Sequence, residues 1–260
     1  MVDIHTHIIF DVDDGCMTKD TSIKVILEEM EAGVTDFFLT PHVDFNEHIS
    51  NLDKIENHYN ILCNEVKEKG YNVNLHLGYE LGPGFNIAEY IQKGKDLTLG
   101  NNSRYVLIGP FFSQLSRNVD VILFDLQMIG KTPIIAHPER MYYYIEAPSI
   151  LEAYLNKGFL FQLNGPSLLG KYGKEIKEFA HKLIDLNWVS FVASDNHRNH
   201  GYSIMGKVKD YIVENWGEAK AIELLETNPR KIISNESIFL DYKEWKEDKK
   251  SFFSFLKSKK

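Results

Sequence analysis

The sequence predicts an α/β fold in which parallel strands are joined by crossover helices and the sheet closes into a barrel. Two observations predict it. Short apolar runs alternate about seven times with amphipathic helical stretches. The chemically active residue types sit at or just beyond the ends of those runs, and they come from most of the runs. An open doubly wound sheet fits the alternation as well, but it gathers its site at one switch point. A ring of polar residues from many strand ends favours a closed barrel with its site at the top.

The elements follow in chain order. Strand-like runs lie at residues 2–4, 36–39, 73–77, 105–108, 133–136, 159–163 and 189–193. Helical patterns lie between them at 21–32, 52–69, 119–129, 150–157, 174–186 and 203–214. The first of these puts Ile23, Ile26, Leu27 and Met30 on one face. Gly33, Gly130, Gly158 and Asn187 stand where helix C-terminal caps are needed. Residues 1–240 read as one domain, and 241–260 as a lysine- and phenylalanine-rich tail carrying Phe252, Phe253 and Phe255. That tail either packs its aromatics on the barrel or makes a peripheral membrane or partner contact.

Composition narrows the function. A length of 260 residues is enough to bury a sizeable core. The net charge of −8 disfavours general nucleic-acid binding. Cys16 and Cys63 form no C-x-x-C pair, so neither a thiolate zinc cage nor a disulfide framework is indicated, and a reducing cytoplasm is expected. No run of apolar residues is long enough to span a bilayer.

Six constellations carry chemistry. In Asp3-Ile4-His5-Thr6-His7, a strand points both imidazoles to one face, roughly 6.5–7 Å apart, where neutral rings can share a metal ion. Asp11-Val12-Asp13-Asp14-Gly15 follows, either a solvated turn or a source of oxygen ligands. His42 closes the run ending Thr40-Pro41. Glu80 closes Gly78-Tyr79-Glu80, and a carboxylate there is costly to bury unless paired or metal-bound. Ala136-His137-Pro138-Glu139-Arg140 ends a strand in histidine. Its arginine either clamps a phosphate or pairs with Glu139 or Glu146. Ser194-Asp195-Asn196-His197 repeats the one-apart spacing of the first pair. A donor set of His, Asp and Glu suits Mn, Fe or Zn. Eight ligands exceed one ion with an open position, so two or three ions are expected. His58, His76 and His181 read as packing or surface residues, while His200 lies near enough to touch substrate.

The stretches D-I-H-T-H-I-I, D-V-D-D-G, T-P-H, G-Y-E, A-H-P-E-R and A-S-D-N-H, with Phe161-Gln162-Leu163-Asn164 and Gly170-Lys171-Tyr172-Gly173, resemble the PHP (polymerase and histidinol phosphatase) superfamily. Within it the chain is most similar to the bacterial manganese-dependent tyrosine-protein phosphatases of capsule and exopolysaccharide operons. The resemblance runs from about Val2 to about Pro229. It implies a distorted (β/α)7 barrel of the PHP type, with Mn²⁺ at the C-terminal ends of the strands. One ion would be held by His5, His7, Glu80 and Asp195, a second by Asp14, His42 and His197, and a third by Glu80 and His137. It gives catalytic parts to Arg140, Glu80 and His42, and phosphate binding to Arg140; Arg198 and His200, close after the Asp-x-His pair, are the further substrate-binding candidates. The implied reaction is hydrolysis of phosphotyrosine on a protein partner, an autophosphorylating tyrosine kinase. A small-molecule phosphatase of the histidinol-phosphate type is the alternative. Two departures stand out: Gly109 occupies a position where the family carries a glutamate ligand of the third ion, and the further arginine that many relatives carry after the Asp-x-His pair is met here by Arg198, which either replaces it or does not. A weakened relative that binds phosphate without turnover is therefore also expected as a possibility.

Overall fold

The computed structural model describes residues 1–43, 51–82, 86–100, 102–109, 119–197 and 203–246. Among the described residues nine strands follow one another: β1 (Val2–Thr6), β2 (Asp36–Leu39), β3 (His42–Val43), β4 (Asn74–Leu77), β5 (Glu80–Leu81), β6 (Tyr105–Ile108), β7 (Thr132–Ala136), β8 (Leu160–Asn164) and β9 (Phe191–Ala193). All pair in parallel, as expected of strands joined by helices.

The ladders form two sheets rather than one continuous ring. One has the order β1-β2-β4, the other β3-β5-β6-β7-β8-β9. The division has a local cause. Two strands are each interrupted: Thr40-Pro41 separates β2 from β3, and Gly78-Tyr79 separates β4 from β5. Proline cannot donate to a ladder. Single bonds carry the chain across the breaks, with Gly78 N donating to Leu39 O (2.9 Å) and Glu80 N to Pro41 O (3.1 Å). The sheets also meet at the other margin. Asp195 N donates to His5 O (2.9 Å), His7 N donates to Asn196 O (3.0 Å), and Thr6 bridges Asn196 in parallel.

Two apolar clusters follow from strand alternation. The larger lies between the sheets and the helices. Helix Lys174–Asp185 shows how: Ile176, Phe179, Ala180, Leu183 and Ile184 are buried at helical spacing. The smaller cluster joins side chains from six strands, among them Ile4, Phe38, Leu107, Ile134, Leu160 and Phe191, and adds Ile232 and Ile238 from near the C-terminus. Helix Ile204–Trp216 begins on a buried carboxylate. Glu29 accepts from Ile204 N (2.7 Å), Met205 N (3.1 Å) and Ser203 Oγ (2.7 Å). These contacts satisfy donors that a helix start leaves open.

Residues 241–246 lie against the fold. Lys243 N donates to Leu186 O (2.9 Å), Trp188 Nε1 donates to Lys243 O (2.8 Å), and the Trp245 ring centroid stands 5.7 Å from that of Trp188. The phenylalanines expected to mark the tail, Phe252, Phe253 and Phe255, lie outside the described residues. Among the described residues no helix is long and apolar enough to cross a membrane.

Candidate metal centre

β1 delivers the first two ligand candidates. His5 and His7 are fully buried, and their Nε2 atoms stand 3.0 Å apart. Glu80 Oε2, at the start of β5, lies 3.2 Å from both nitrogens. Asp195 Oδ1, just beyond β9, lies 3.5 Å from His5 Nε2 and 3.4 Å from His7 Nε2. Neither of these two carboxylate oxygens has a hydrogen bond, although both are out of contact with solvent. Two donors each about 2.1 Å from one ion and at right angles stand roughly 3.0 Å apart. The convergence of two imidazole nitrogens and two orphaned carboxylate oxygens at this spacing fits a metal cation.

The other ligand candidates surround this nucleus. His42 Nδ1 lies 2.9 Å from Glu80 Oε2, and its Nε2 lies 3.6 Å from Asp14 Oδ1. His197 Nε2 lies 3.4 Å from the same Asp14 oxygen. His137 Nε2 lies 3.2 Å from Glu80 Oε1 and 4.0 Å from Asp195 Oδ2. All eight residues expected as ligands are therefore brought together. They fall into three groups whose donor atoms could share an ion: His7, Asp14, His42 and His197; His5, His7 and Glu80; and His5, His137 and Asp195. This grouping differs from the expected one. His7 also joins the Asp14 group, Asp195 leaves the first group, and His137 stands with His5 and Asp195 rather than with Glu80.

Two of these residues sit in unusual backbone. His137 (φ 32°) and Asp195 (φ 49°) are left-handed without being glycine. At His137 the conformation is held despite Pro138, which disfavours α-type backbone in the residue before it.

The electrostatics fit a cation-loving cluster. Burial alone would push the His5 and His7 rings down, but neighbouring carboxylates, Glu80 and Asp195 for both and Asp13 for His7, outweigh it and hold both above the ordinary histidine value. Burial would raise Glu80 and Asp195, yet the surrounding imidazoles hold both below the usual carboxylate range. His197 is lowered by burial and by the neighbouring His7.

A supporting shell fixes the ligands, and most of it was missed in the sequence. Asp13 Oδ2 accepts from His7 Nδ1 (2.8 Å) and His42 N (3.1 Å), while Oδ1 accepts from Gly15 N (2.9 Å). Asp13 thereby favours a proton on His7 Nδ1, which would leave the Nε2 lone pair for an ion. Three acids in one loop signal oxygen ligands, without telling which of them binds an ion and which orients His7. Gln162 Oε1 lies 2.9 Å from His5 Nδ1, and Gln162 Nε2 donates to Asn164 Oδ1 (3.0 Å). Asn164 Nδ2 donates to Asp195 Oδ2 (2.6 Å). Two amides one residue apart in an otherwise apolar strand were the available signal. Asp3 accepts from Ser194 N (3.0 Å), tying β1 to the end of β9.

Arg140 turns toward the centre. Its Nη1 lies 3.0 Å from Asp195 Oδ2, and its guanidinium carbon sits 4.4 Å from the Tyr172 ring centroid. Glu139 instead turns inward, fully buried, and accepts from Asn164 N (3.1 Å) and Ser167 Oγ (2.6 Å). Gly109 follows β6 beside the centre. A Cβ there would lie 3.0 Å from Glu80 Cγ and Oε1 and 3.2 Å from Cδ, so Glu80 occupies the space that a side chain would need. Arg198 and His200, expected to touch substrate, lie outside the described residues. His58, His76 and His181 are accounted for elsewhere, at Phe10 O (2.8 Å), Asp36 Oδ1 (3.1 Å) and Tyr211 Oη (3.0 Å).

Comparison with known proteins agrees with this geometry. The pattern of the family "Capsular polysaccharide synthesis, CpsB/CapC" matches residues 1–234. A putative tyrosine-protein phosphatase CapC of Staphylococcus aureus is 34% identical over 253 residues, covering 95% of this chain and 98% of that protein. The tyrosine-protein phosphatase CpsB of Streptococcus pneumoniae is 30% identical over 244 residues, covering 92% of this chain and all of that one. A crystal structure described with YwqE from Bacillus subtilis and CpsB from Streptococcus pneumoniae as "unique metal-dependent tyrosine phosphatases" superposes with a TM-score of 0.87 at 27% identity, covering 95% of this chain and 100% of that one. With the family pattern spanning nearly the whole chain, this protein belongs to the CpsB/CapC family of capsular polysaccharide synthesis.

Proposed function

We propose that this chain is a metal-dependent phosphomonoester hydrolase acting on phosphotyrosine in a protein. The observation that carries the reading is the meeting of His5, His7, Glu80 and Asp195 around two orphaned carboxylate oxygens, with Arg140 at their margin. The relatives named as tyrosine-protein phosphatases support the substrate class. His5, His7, Asp14, His42, Glu80, His137, Asp195 and His197 would hold the ions, with Mn²⁺ the first choice and Fe or Zn compatible with the same donors. Bound ions supply Lewis acidity, which acidifies water and neutralises phosphoryl charge.

The chain's own contribution is positioning. Phosphoryl transfer needs orientation and charge balance more than covalent help from the protein. Arg140 offers a planar fork that matches two phosphate oxygens. Phenolate leaves readily, its conjugate acid having a pKa of about 10, so no separate general acid is assigned. Exposure favours a protein substrate over an enclosed small molecule. The His5 and His7 side chains are 0% exposed, but His42 is 37% and Asp14 68% exposed, and the rim opens into a cleft of about 460 Å³ beside Asp11 and Lys54. A cytoplasmic autophosphorylating tyrosine kinase is the partner this reading calls for. The meeting of the two sheets at both margins supports treating them as one distorted seven-unit barrel, with residues 241–260 as its appendage.

Gly109 favours a second reading, in which the chain binds phosphotyrosine without turnover. With glycine there, a third ion would rely on Glu80 Oε1 and His137 Nε2. The test is hydrolysis of a phosphotyrosine peptide with Mn²⁺, with and without chelator. Turnover that the chelator abolishes is expected. Absence of turnover, restored in Gly109→Glu, supports the second reading, although Glu80 must shift by a few tenths of an ångström to admit the new side chain.

A further inference from the structure

The loop after helix Gly165–Leu168 is held tightly against the centre. Gly170 N donates to Ser167 O (3.1 Å), Lys171 N to Pro166 O (3.0 Å) and Gly173 N to Gly170 O (3.1 Å). Gly170 (φ 86°) and Gly173 (φ 98°) supply the left-handed turns that this path requires. Ser167 Oγ anchors the loop to the buried carboxylate of Glu139, the residue before Arg140. The loop presents Tyr172 to Arg140 at 4.4 Å, and Lys171 Nζ lies 5.4 Å from the centroid of the same ring. Both distances lie within the range of cation–π attraction.

A line of contacts therefore runs outward from Asp195 through Arg140 and Tyr172 to Lys171. Lys171 is an exposed residue, as a group meeting an incoming ligand must be. Its ammonium is pushed below its ordinary value by burial of part of the side chain, drawn up by Asp195 and pushed down by Arg140, so it belongs to the field of the centre. A phosphomonoester carries about −1.5 to −2 charge at neutral pH. One guanidinium already engaged with Asp195 balances only part of that.

We propose that Lys171 is a second cation for the phosphoryl group and that Tyr172 is the positioning residue that holds Arg140 and Lys171 toward it. This deepens the hydrolase reading and rests on it for the identity of the ligand as a phosphomonoester. The aromatic ring sets the direction of both cations, and the lysine extends the anion-binding edge away from the carboxylates.

The test uses the full chain loaded with Mn²⁺. Inorganic phosphate is titrated by calorimetry, and p-nitrophenyl phosphate turnover is measured beside it. Lys171→Met is expected to weaken phosphate binding about tenfold and to raise KM by a similar factor, with a smaller effect on kcat, as befits one charge-assisted contact. Lys171→Arg should recover most of that loss. Tyr172→Leu should weaken phosphate binding as well, and Tyr172→Phe, which keeps the ring, should lose less. Metal content unchanged across the four variants separates an effect on the anion from an effect on the ions. Phosphate affinity unchanged in Lys171→Met, or equal losses in Tyr172→Leu and Tyr172→Phe, overturns the proposal. Because phosphate binding is read without turnover, a chain that fails to hydrolyse any substrate counts against the hydrolase reading and leaves this inference to be judged on the titration.

Discussion

Replacing Asp13 by asparagine isolates the supporting shell from the ligands themselves. Its carboxylate is 3% exposed and takes three donors: His7 Nδ1 at 2.8 Å, Gly15 N at 2.9 Å and His42 N at 3.1 Å. Burial would raise its carboxyl, but the His7 contact and the backbone donors hold it below the ordinary value. An amide of the same shape has one acceptor oxygen where the carboxylate has two. Whichever way it turns, an N–H is left facing the amide NH₂, at a cost of about 1–3 kcal/mol. If His7 yields, its tautomer changes and Nε2 carries a proton where the ion needs a lone pair. Losing an outer-shell carboxylate of this kind weakens metal binding roughly 10–100-fold, or about 1.4–2.7 kcal/mol. The assay is calorimetric titration of chelator-stripped protein with Mn²⁺. Asp11→Asn serves as the control, since Asp11 is 58% exposed and pairs with Lys54 at 3.0 Å. Equal Mn²⁺ affinity in Asp13→Asn and the unaltered chain refutes the orienting role.

Three further outcomes follow from the same structure. In the metal-free chain, His5 and His7 hold protons above their ordinary value, so their stabilising share is complete below about pH 6.5 and is lost as pH rises through the folded values. Added Mn²⁺ needs neutral rings and should reverse the trend, so thermal melts from about pH 6 to about pH 9 should diverge with and without the ion; parallel curves contradict this. Glu29→Ala removes the acceptor for two N–H groups at the start of helix Ile204–Trp216 and should cost about 2–3 kcal/mol in urea unfolding, whereas a loss below about 0.5 kcal/mol denies the capping role. Asp36 is held to about 2: burial would raise it, but bonds from His76, Thr35 and Asn74 prevail. Its contribution is present above the ordinary carboxylate value and is lost as pH falls toward 2. Asp36→Asn should therefore destabilise by about 1 kcal/mol at neutral pH after solvent screening, and much less near pH 2; a pH-independent loss contradicts the assignment.

Much of this was legible in the sequence because it is local. Asp36–Leu39 and Tyr105–Ile108 are strands over the expected residues, and helix Leu52–Glu68 ends one residue early. Apolar period and cap chemistry suffice for such elements. The gathering of the eight candidate ligands was legible for the same reason, since residue type and place at a strand end are both local facts. The breaks at Thr40-Pro41 and Gly78-Tyr79 were not foreseen, because a ladder break depends on the neighbouring strand. Helices Tyr142–Glu146 and Gly165–Leu168 are too short to show a period. Asp13 and Asp14 share a loop without periodicity, so nothing local tells the acid bonded to His7 from the candidate ligand. The approach of Tyr172 to Arg140 joins two loops far apart in the chain, and only the fold brings them together.

The left-handed backbone at His137 and Asp195 sets ease of folding against the candidate centre. Glycine adopts such a turn without the conformational cost that a side chain carries. It would also take an imidazole or a carboxylate away from the cluster. The same two turns that position the centre are therefore places where the least strained backbone and a side chain able to bind an ion cannot both be had.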